Sequence, residues 1–299
     1  MKSLSRRKFL IRSGGLGAAL GASNWLPRAF SNPMGKPIGI QLYAVNAGIK
    51  ENPEGTLKAI KEIGFGEVET AGFGNLSARE FRKLLDENGL ACPSAHLQFD
   101  IANLGAAFDD AHALGAHYAT SGSLRGSLRP PLVNPTQAMT LDEAKRSAEL
   151  ANKIGEKAKQ AGLQYAYHNH HGELDDQGGG ATGYDLMLRE TDPELVKFEI
   201  DCGWMVLGGG NPADYFRKYP HRFPMIHVKD FLPPSKVDGK EAEPAGAELG
   251  HGIIDYKPIF AAASKAGLQH YFVEQEGPFA RMSQVQAARH AYAYLHAMS

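Results

Sequence analysis

Cysteine is nearly absent. Cys92 and Cys202 are the only two in 299 residues, too few for a disulfide framework, and nothing in their spacing argues for a single bridge. They read as small buried thiols at strand ends. An excess of either charge is also missing: 32 Lys and Arg against 33 Asp and Glu leave a formal net charge of -1. No broad basic field is therefore available to hold nucleic-acid phosphates. No Gly-x-Gly-x-x-Gly follows the first predicted strand, which disfavours a dinucleotide-binding sheet. The glycine runs at 178–180 and 208–210 lack the strand-to-helix context of a phosphate cradle and read as loop elements. What remains, 43% hydrophobic and 22% charged residues, is the composition of a globular protein.

The N-terminus stands apart from the rest. Ser5-Arg6-Arg7-Lys8-Phe9-Leu10 places paired arginines ahead of a mild apolar stretch around Leu16 to Leu20. That stretch is too short and too rich in glycine to span a bilayer as a helix. The whole hexamer resembles a twin-arginine export signal, against the plainer reading of a basic tail. Residues 1–32 are accordingly expected to be signal and linker, with 33–299 forming the folded domain. No clear cleavage site precedes Asn32. The expected destination is the periplasm or the cell exterior. Twin-arginine substrates cross the membrane folded, which suits a protein that acquires a metal before export.

From Pro33 onward, short β-rich runs alternate with longer amphipathic segments. Strands are predicted at 38–43, 67–70, 92–97, 117–121, 163–169, 196–202, 225–229 and 270–275. Helices lie between them, several closed by a glycine such as Gly64, Gly89, Gly115 or Gly162, and a last one runs over 284–298. Eight strand–helix units allow an open doubly wound sheet or a closed barrel. The strand count and the placement of polar residues favour a single (β/α)8 TIM barrel. Long loops at 122–140 and 231–253 read as walls or lids.

In such a barrel, chemistry gathers at the C-terminal ends of the strands. Those positions carry Glu69, His96, the run His168-Asn169-His170-His171-Gly172-Glu173, Asp201, His227, Lys229, Glu274 and Glu276. Imidazole and carboxylate donors without a thiolate suit Mn²⁺, Co²⁺, Zn²⁺, Fe²⁺ or Ni²⁺. The bland alternative for each is a buried ion pair or a hydrogen-bonded histidine. His170 and His171 read as loop residues, and His112, His117, His221, His270, His290 and His296 receive no role.

The segments Phe198-Glu199-Ile200-Asp201-Cys202-Gly203-Trp204, Ile226-His227-Val228-Lys229-Asp230, Gly250-His251-Gly252-Ile253-Ile254-Asp255 and Phe272-Val273-Glu274-Gln275 resemble the xylose-isomerase-like sugar isomerase/epimerase superfamily. The similarity runs in order from about Ile38 to the C-terminus. The resemblance implies one divalent metal held from strands five to eight by a glutamate, an aspartate, a histidine and a second glutamate. Asp201, His227 and Glu274 match three of these. His168 stands where the first glutamate is found and is inferred to replace it; Glu173 is the other candidate there, as ligand or as base. This departure speaks against a symmetric two-base epimerisation. The Tyr-His-Asn-His pattern is closer to the inosose-dehydratase and 3-keto-sugar-processing branches.

The expected chemistry is enolisation of an unphosphorylated sugar or keto-sugar, followed by β-elimination or isomerisation. A metal at the carbonyl and neighbouring hydroxyl acidifies the α-proton, and a base removes it. Glu173, Glu274 and His96 are candidate bases, and Lys229 could steady the developing oxyanion. Trp204 offers a flat wall to a sugar ring, and Glu69 and His96 are candidate substrate contacts. Two other functions compete: a non-catalytic periplasmic sugar-binding or accessory subunit, and an apurinic-site-type endonuclease, which the neutral charge opposes. The partner expected is a small sugar and not a nucleic acid, with homo- or hetero-oligomers both open.

Overall fold

The computed structural model describes residues 32–124, 137–233, 235–237, 240–241, 245–277, 279 and 281–298. The arginine-bearing segment and most of the 122–140 loop lie outside the described residues. Eight parallel strands close into one barrel. They are β1 (Gly39–Gln41), β2 (Glu67–Ala71), β3 (Ala91–His96), β4 (Tyr118–Ser121), β5 (Gln164–His168), β6 (Val196–Asp201), β7 (Met225–Val228) and β8 (His270–Val273). The outer ring consists of α1 (Pro53–Ile63), α2 (Ala78–Glu87), α3 (Leu104–Leu114), α4 (Leu141–Gln160), α5 (Gly183–Glu190), α6 (Pro212–Lys218), α7 (Tyr256–Ala263) and α8 (Gln284–Ala297). The TIM barrel expected from the sequence is the fold observed.

Local chemistry starts these helices. Asn52 accepts the Gly55 N–H ahead of Pro53, opening α1 at the positions where asparagine cap and proline suit a first turn. Ser77 with Glu80, Thr140 with Glu143, and Ser283 with Gln286 form reciprocal capping boxes on α2, α4 and α8, each satisfying backbone N–H groups that a helix leaves unpaired. α1 then buries Leu57, Ile60 and Ile63 and stops at Gly64 with φ 125°, a conformation costly to any other residue.

Several strands end a residue or two earlier than the pattern suggested, and in two the reason is polar. β1 stops at Gln41 because its side chain accepts the Tyr43 N–H and starts a 3-10 turn over Leu42–Val45. β6 stops at Asp201 because that carboxylate caps the helix Cys202–Leu207. The pairing of β2 with β3 shifts register between Glu67 and Glu69. The extra residue falls beside Pro93, which has no N–H to give a ladder.

The barrel interior divides into two zones. Tyr118, Ala166, Met225 and Phe272 form an apolar floor separate from the main core between strands and helices. Gly39 admits the Phe272 ring, because a Cβ there would come within 2.5 Å of it. Above this floor the interior is polar and almost dry: Gln41, Glu69, Ser94, Thr120, His168, Glu199 and His227 are all buried. Such groups are tolerated only when paired, and their pairings define the candidate site.

Close helix packing gives a first prediction. A Cβ on Gly155 of α4 would lie 2.5 Å from the Leu195 carbonyl oxygen, whereas at Gly105 of α3 the nearest atom is 3.7 Å away. Gly155→Ala is expected to destabilise by about 1–3 kcal/mol through overpacking. Gly105→Ala is expected to stabilise by up to about 1 kcal/mol through helix propensity. Denaturant midpoints of the two variants should move in opposite directions.

Candidate metal centre

Strand alternation assembles the site. Glu199 and Asp201 are two residues apart on β6, so both face the interior while Phe198 and Ile200 face the helices. His168 ends β5 opposite Glu199, and Asp201 pairs in register with His227 on β7. Asp201 is fixed from two sides: its N–H donates to Asn169 Oδ1 at 3.1 Å, and its Oδ1 accepts the Trp204 N–H at 2.8 Å. The remaining oxygen, Oδ2, turns toward the histidines.

Among the described residues, two overlapping groups present ligand atoms within 4.8 Å of one another. The inner group is His96, His168, Glu199 and His227; the outer one is Asp201, His227 and Glu274. In the inner group, Glu199 Oε2 lies 2.8 Å from His96 Nε2 and 3.1 Å from both His168 Nδ1 and His227 Nε2. In the outer group, His227 Nδ1 is 3.1 Å from Glu274 Oε2 and 3.6 Å from Asp201 Oδ2. His168 Nε2 reaches the outer group as well, 3.9 Å from Asp201 Oδ2.

Lys229 brings the counter-charge. Its buried ammonium sits 3.0 Å from Asp201, 2.7 Å from Glu274 and 2.6 Å from Glu276, over the face of Trp204. Gly203 makes this route possible, since a Cβ there would lie 2.4 Å from the lysine Cγ. The lysine backbone is held in turn, with the Tyr256 hydroxyl accepting its N–H and donating to its carbonyl. Next along, Asp230 accepts the N–H groups of Phe231, Gly250, Gly252 and Ile254, tying the loop after β7 to the barrel rim.

The charges respond to this crowding. Burial works against charge on Lys229, but the carboxylates of Asp201, Glu274 and Glu276 raise its pKa. Burial likewise opposes ionisation of Glu199, yet His227 and hydrogen bonds from the surrounding imidazoles hold its carboxyl well below the usual range. Glu274 is held low against the same penalty, by Lys229 and then His227. Burial and the neighbouring His227 lower His168. His96 rises, because Glu69 and Glu199 outweigh its burial.

A divalent cation fits this donor set. Glu69, Glu199, Asp201, Glu274 and Glu276 bring carboxylates to one small volume against the single ammonium of Lys229. Asp201 Oδ2 is buried without an aligned hydrogen bond, with the Lys229 ammonium at 3.0 Å, an acceptor with room for a cation. His168, Asp201, His227 and Glu274 would hold the ion.

The structure thus brings together His168, Asp201, His227, Glu274, Lys229 and His96. Trp204 is buried against Phe231, with ring centroids 4.8 Å apart, and backs Lys229. Glu69 lies inside the barrel, accepting from Gln41 at 2.9 Å with His227 Nε2 at 2.7 Å. It supports a histidine where a substrate contact was expected. Glu173 stands outside both groups. Its carboxylate accepts from the Tyr167 hydroxyl at 2.7 Å and the His170 N–H at 3.0 Å, so it braces the turn after β5 and is poorly placed as base or ligand. Glu199 was not assigned from sequence, although an acid two residues before Asp201 on an apolar strand was the available signal.

Comparison with known proteins places the fold. The xylose isomerase-like TIM barrel family model matches residues 57–297. An inosose dehydratase of Lacticaseibacillus casei is 31% identical over 205 residues, 63% of this chain and 67% of that protein. One from Clostridium tetani is 30% identical over 184 residues, 58% of this chain and 60% of its own. The matched region thus spans at most about two thirds of these curated relatives. A sugar phosphate isomerase/epimerase from Parabacteroides distasonis superposes with a TM-score of 0.71 at 26% identity, covering 88% of this chain and 94% of that one. The chain belongs to the xylose isomerase-like TIM barrel family.

Proposed function

We propose that this chain is a divalent-metal-dependent lyase acting on an unphosphorylated keto-sugar or cyclic polyol ketone. It would remove the proton α to the carbonyl and expel the β-hydroxyl as water. The observation that carries this reading is the convergence of His168, Asp201, His227 and Glu274 on one end of the barrel, with Lys229 beside them. The dehydratase names of the relatives support elimination over epimerisation, as does His168 in place of a second carboxylate base. The sequence offers no phosphate cradle, which supports an unphosphorylated substrate. The arginine pair at Arg6-Arg7 supports export through the twin-arginine route.

A bound divalent ion supplies Lewis-acid polarisation of the substrate carbonyl. Glu274 takes the α-proton. Lys229 keeps that carboxylate ionised but also a weak base, so deprotonation depends on prior acidification of the C–H bond. As the α C–H bond breaks, its electron pair forms the carbon–carbon double bond and charge gathers on the carbonyl oxygen. The fixed Lys229 ammonium stabilises that charge. Collapse of the enolate breaks the β C–O bond. His96, whose side chain is 18% exposed and whose Nε2 is held by Glu199, delivers a proton to the departing hydroxyl.

Proton NMR in D₂O, with Mn²⁺ present during turnover and removed before detection, tests this on a panel of keto-sugars and inososes. Metal-dependent deuterium incorporation α to the carbonyl and an unsaturated ketone product are expected, with Glu274→Gln slower by about 10²–10⁴-fold. Tight binding of a panel member with neither exchange nor product would make the chain a sugar-binding protein.

His96→Gln separates the two proton transfers. It should retain α-exchange and one equivalent of metal while dehydration falls by about 10²–10⁴-fold. Loss of exchange and elimination together would remove His96 from the acid role.

A further inference from the structure

His227 has one ring nitrogen in the inner group and one in the outer group, and His168 has one in the inner group and one facing Asp201 of the outer group. An imidazole that ligates an ion is neutral, with one N–H and one lone pair, so each ring as a ligand must choose which side keeps the proton. On the inner side, three imidazole nitrogens lie 2.8, 3.1 and 3.1 Å from the same oxygen, Glu199 Oε2, the separations of N–H···O hydrogen bonds. On the outer side, the separations from Asp201 Oδ2 are 3.6 and 3.9 Å, too long for hydrogen bonds and suited to donors that share an ion, while Glu274 Oε2 lies 3.1 Å from His227 Nδ1. The opposite choice would aim the His168 lone pair at Glu199 Oε2 and the His227 lone pair at two buried carboxylates, Glu69 and Glu199, while Nδ1 faces Glu274 at hydrogen-bond distance.

We infer that Glu199 is a positioning residue of the centre: its Oε2 fixes the tautomer of His168 and, together with Glu69, that of His227. His168 is held as the Nδ1–H form and presents Nε2. His227 is held as the Nε2–H form, with Glu69 Oε2 accepting at 2.7 Å and Glu199 Oε2 beside it at 3.1 Å, and presents Nδ1. The same oxygen holds His96, so the proposed acid and the two ligands share one anchor. Partners of this kind raise ligand basicity and lock ring orientation. The inference rests on the reading of His168 and His227 as ligands. It makes the inner group the support for one ion and not a second ion site.

Calorimetric Mn²⁺ titration of wild type and Glu199→Gln, with circular dichroism to check the fold, provides the first test. One ion per chain is expected in both, with binding weaker by about 10–100-fold in the variant. Long-range ¹⁵N–¹H spectra of the Zn²⁺-loaded wild type provide a second test that needs no variant. Their predicted result is protonated Nδ1 on His168 and protonated Nε2 on His227. Unchanged affinity in the variant, the reversed tautomers, or two ions in wild type with one lost in Glu199→Gln would each overturn the assignment. Failure of wild type to bind Mn²⁺ or Zn²⁺ would instead remove the metal reading beneath it.

Discussion

Everything around the centre follows from negative charge held where water is scarce. Glu69, Glu199 and Asp201 are wholly buried, and Glu274 nearly so. An isolated carboxylate in such a place would stay protonated or prevent folding. The chain keeps Glu199, Asp201 and Glu274 ionised by surrounding them with Lys229 and imidazoles, and the Lys229 charge alone does not balance them. The remaining excess is what makes a divalent cation fit, and it is concentrated at the open end of the barrel by strand geometry alone.

The fold contributes precision more than substance. Asp201 serves as helix cap as well as proposed ligand, so its position is set by backbone hydrogen bonding on one oxygen while the other stays directed inward. Gly203 leaves room for the Lys229 stem, and Tyr256 grips the lysine backbone. Asp230 gathers the N–H groups of the Gly250–His251–Gly252 turn, where a Cβ on Gly252 would collide with the carboxylate at 2.2 Å. The segments that look like family signatures in the sequence therefore carry partly the proposed ligands and partly the clamps that hold them. The apolar floor of Tyr118, Ala166, Met225 and Phe272 closes the barrel beneath.

The barrel itself was legible because period-2 strands and capped amphipathic helices alternate cleanly, and the outer cluster of acids and imidazoles because each stands at a strand end. The inner support was not. Gln41, Ser94 and Thr120 read as ordinary strand residues, since nothing local shows that β1, β3 and β4 turn them toward a carboxylate on β2. Ser94 donates to Glu69 and lies 2.9 Å from Thr120, contacts between residues some 25 positions apart that exist only after closure. Glu173 misled for the converse reason. It follows a histidine run closely in sequence, but the 3-10 turn His171–Leu174 aims its carboxylate back at Tyr167 and the His170 N–H.

Anomalous diffraction from crystals soaked in Mn²⁺ tests the central claim most directly, because it locates the ion without assuming a substrate. The account predicts one strong peak at the C-terminal mouth of the barrel, bonded to His168 Nε2, Asp201 Oδ2, His227 Nδ1 and Glu274 Oε2, with Glu199 touching only the far sides of the imidazoles. A peak bonded to Glu199 and His96, or no peak within the barrel, would contradict it.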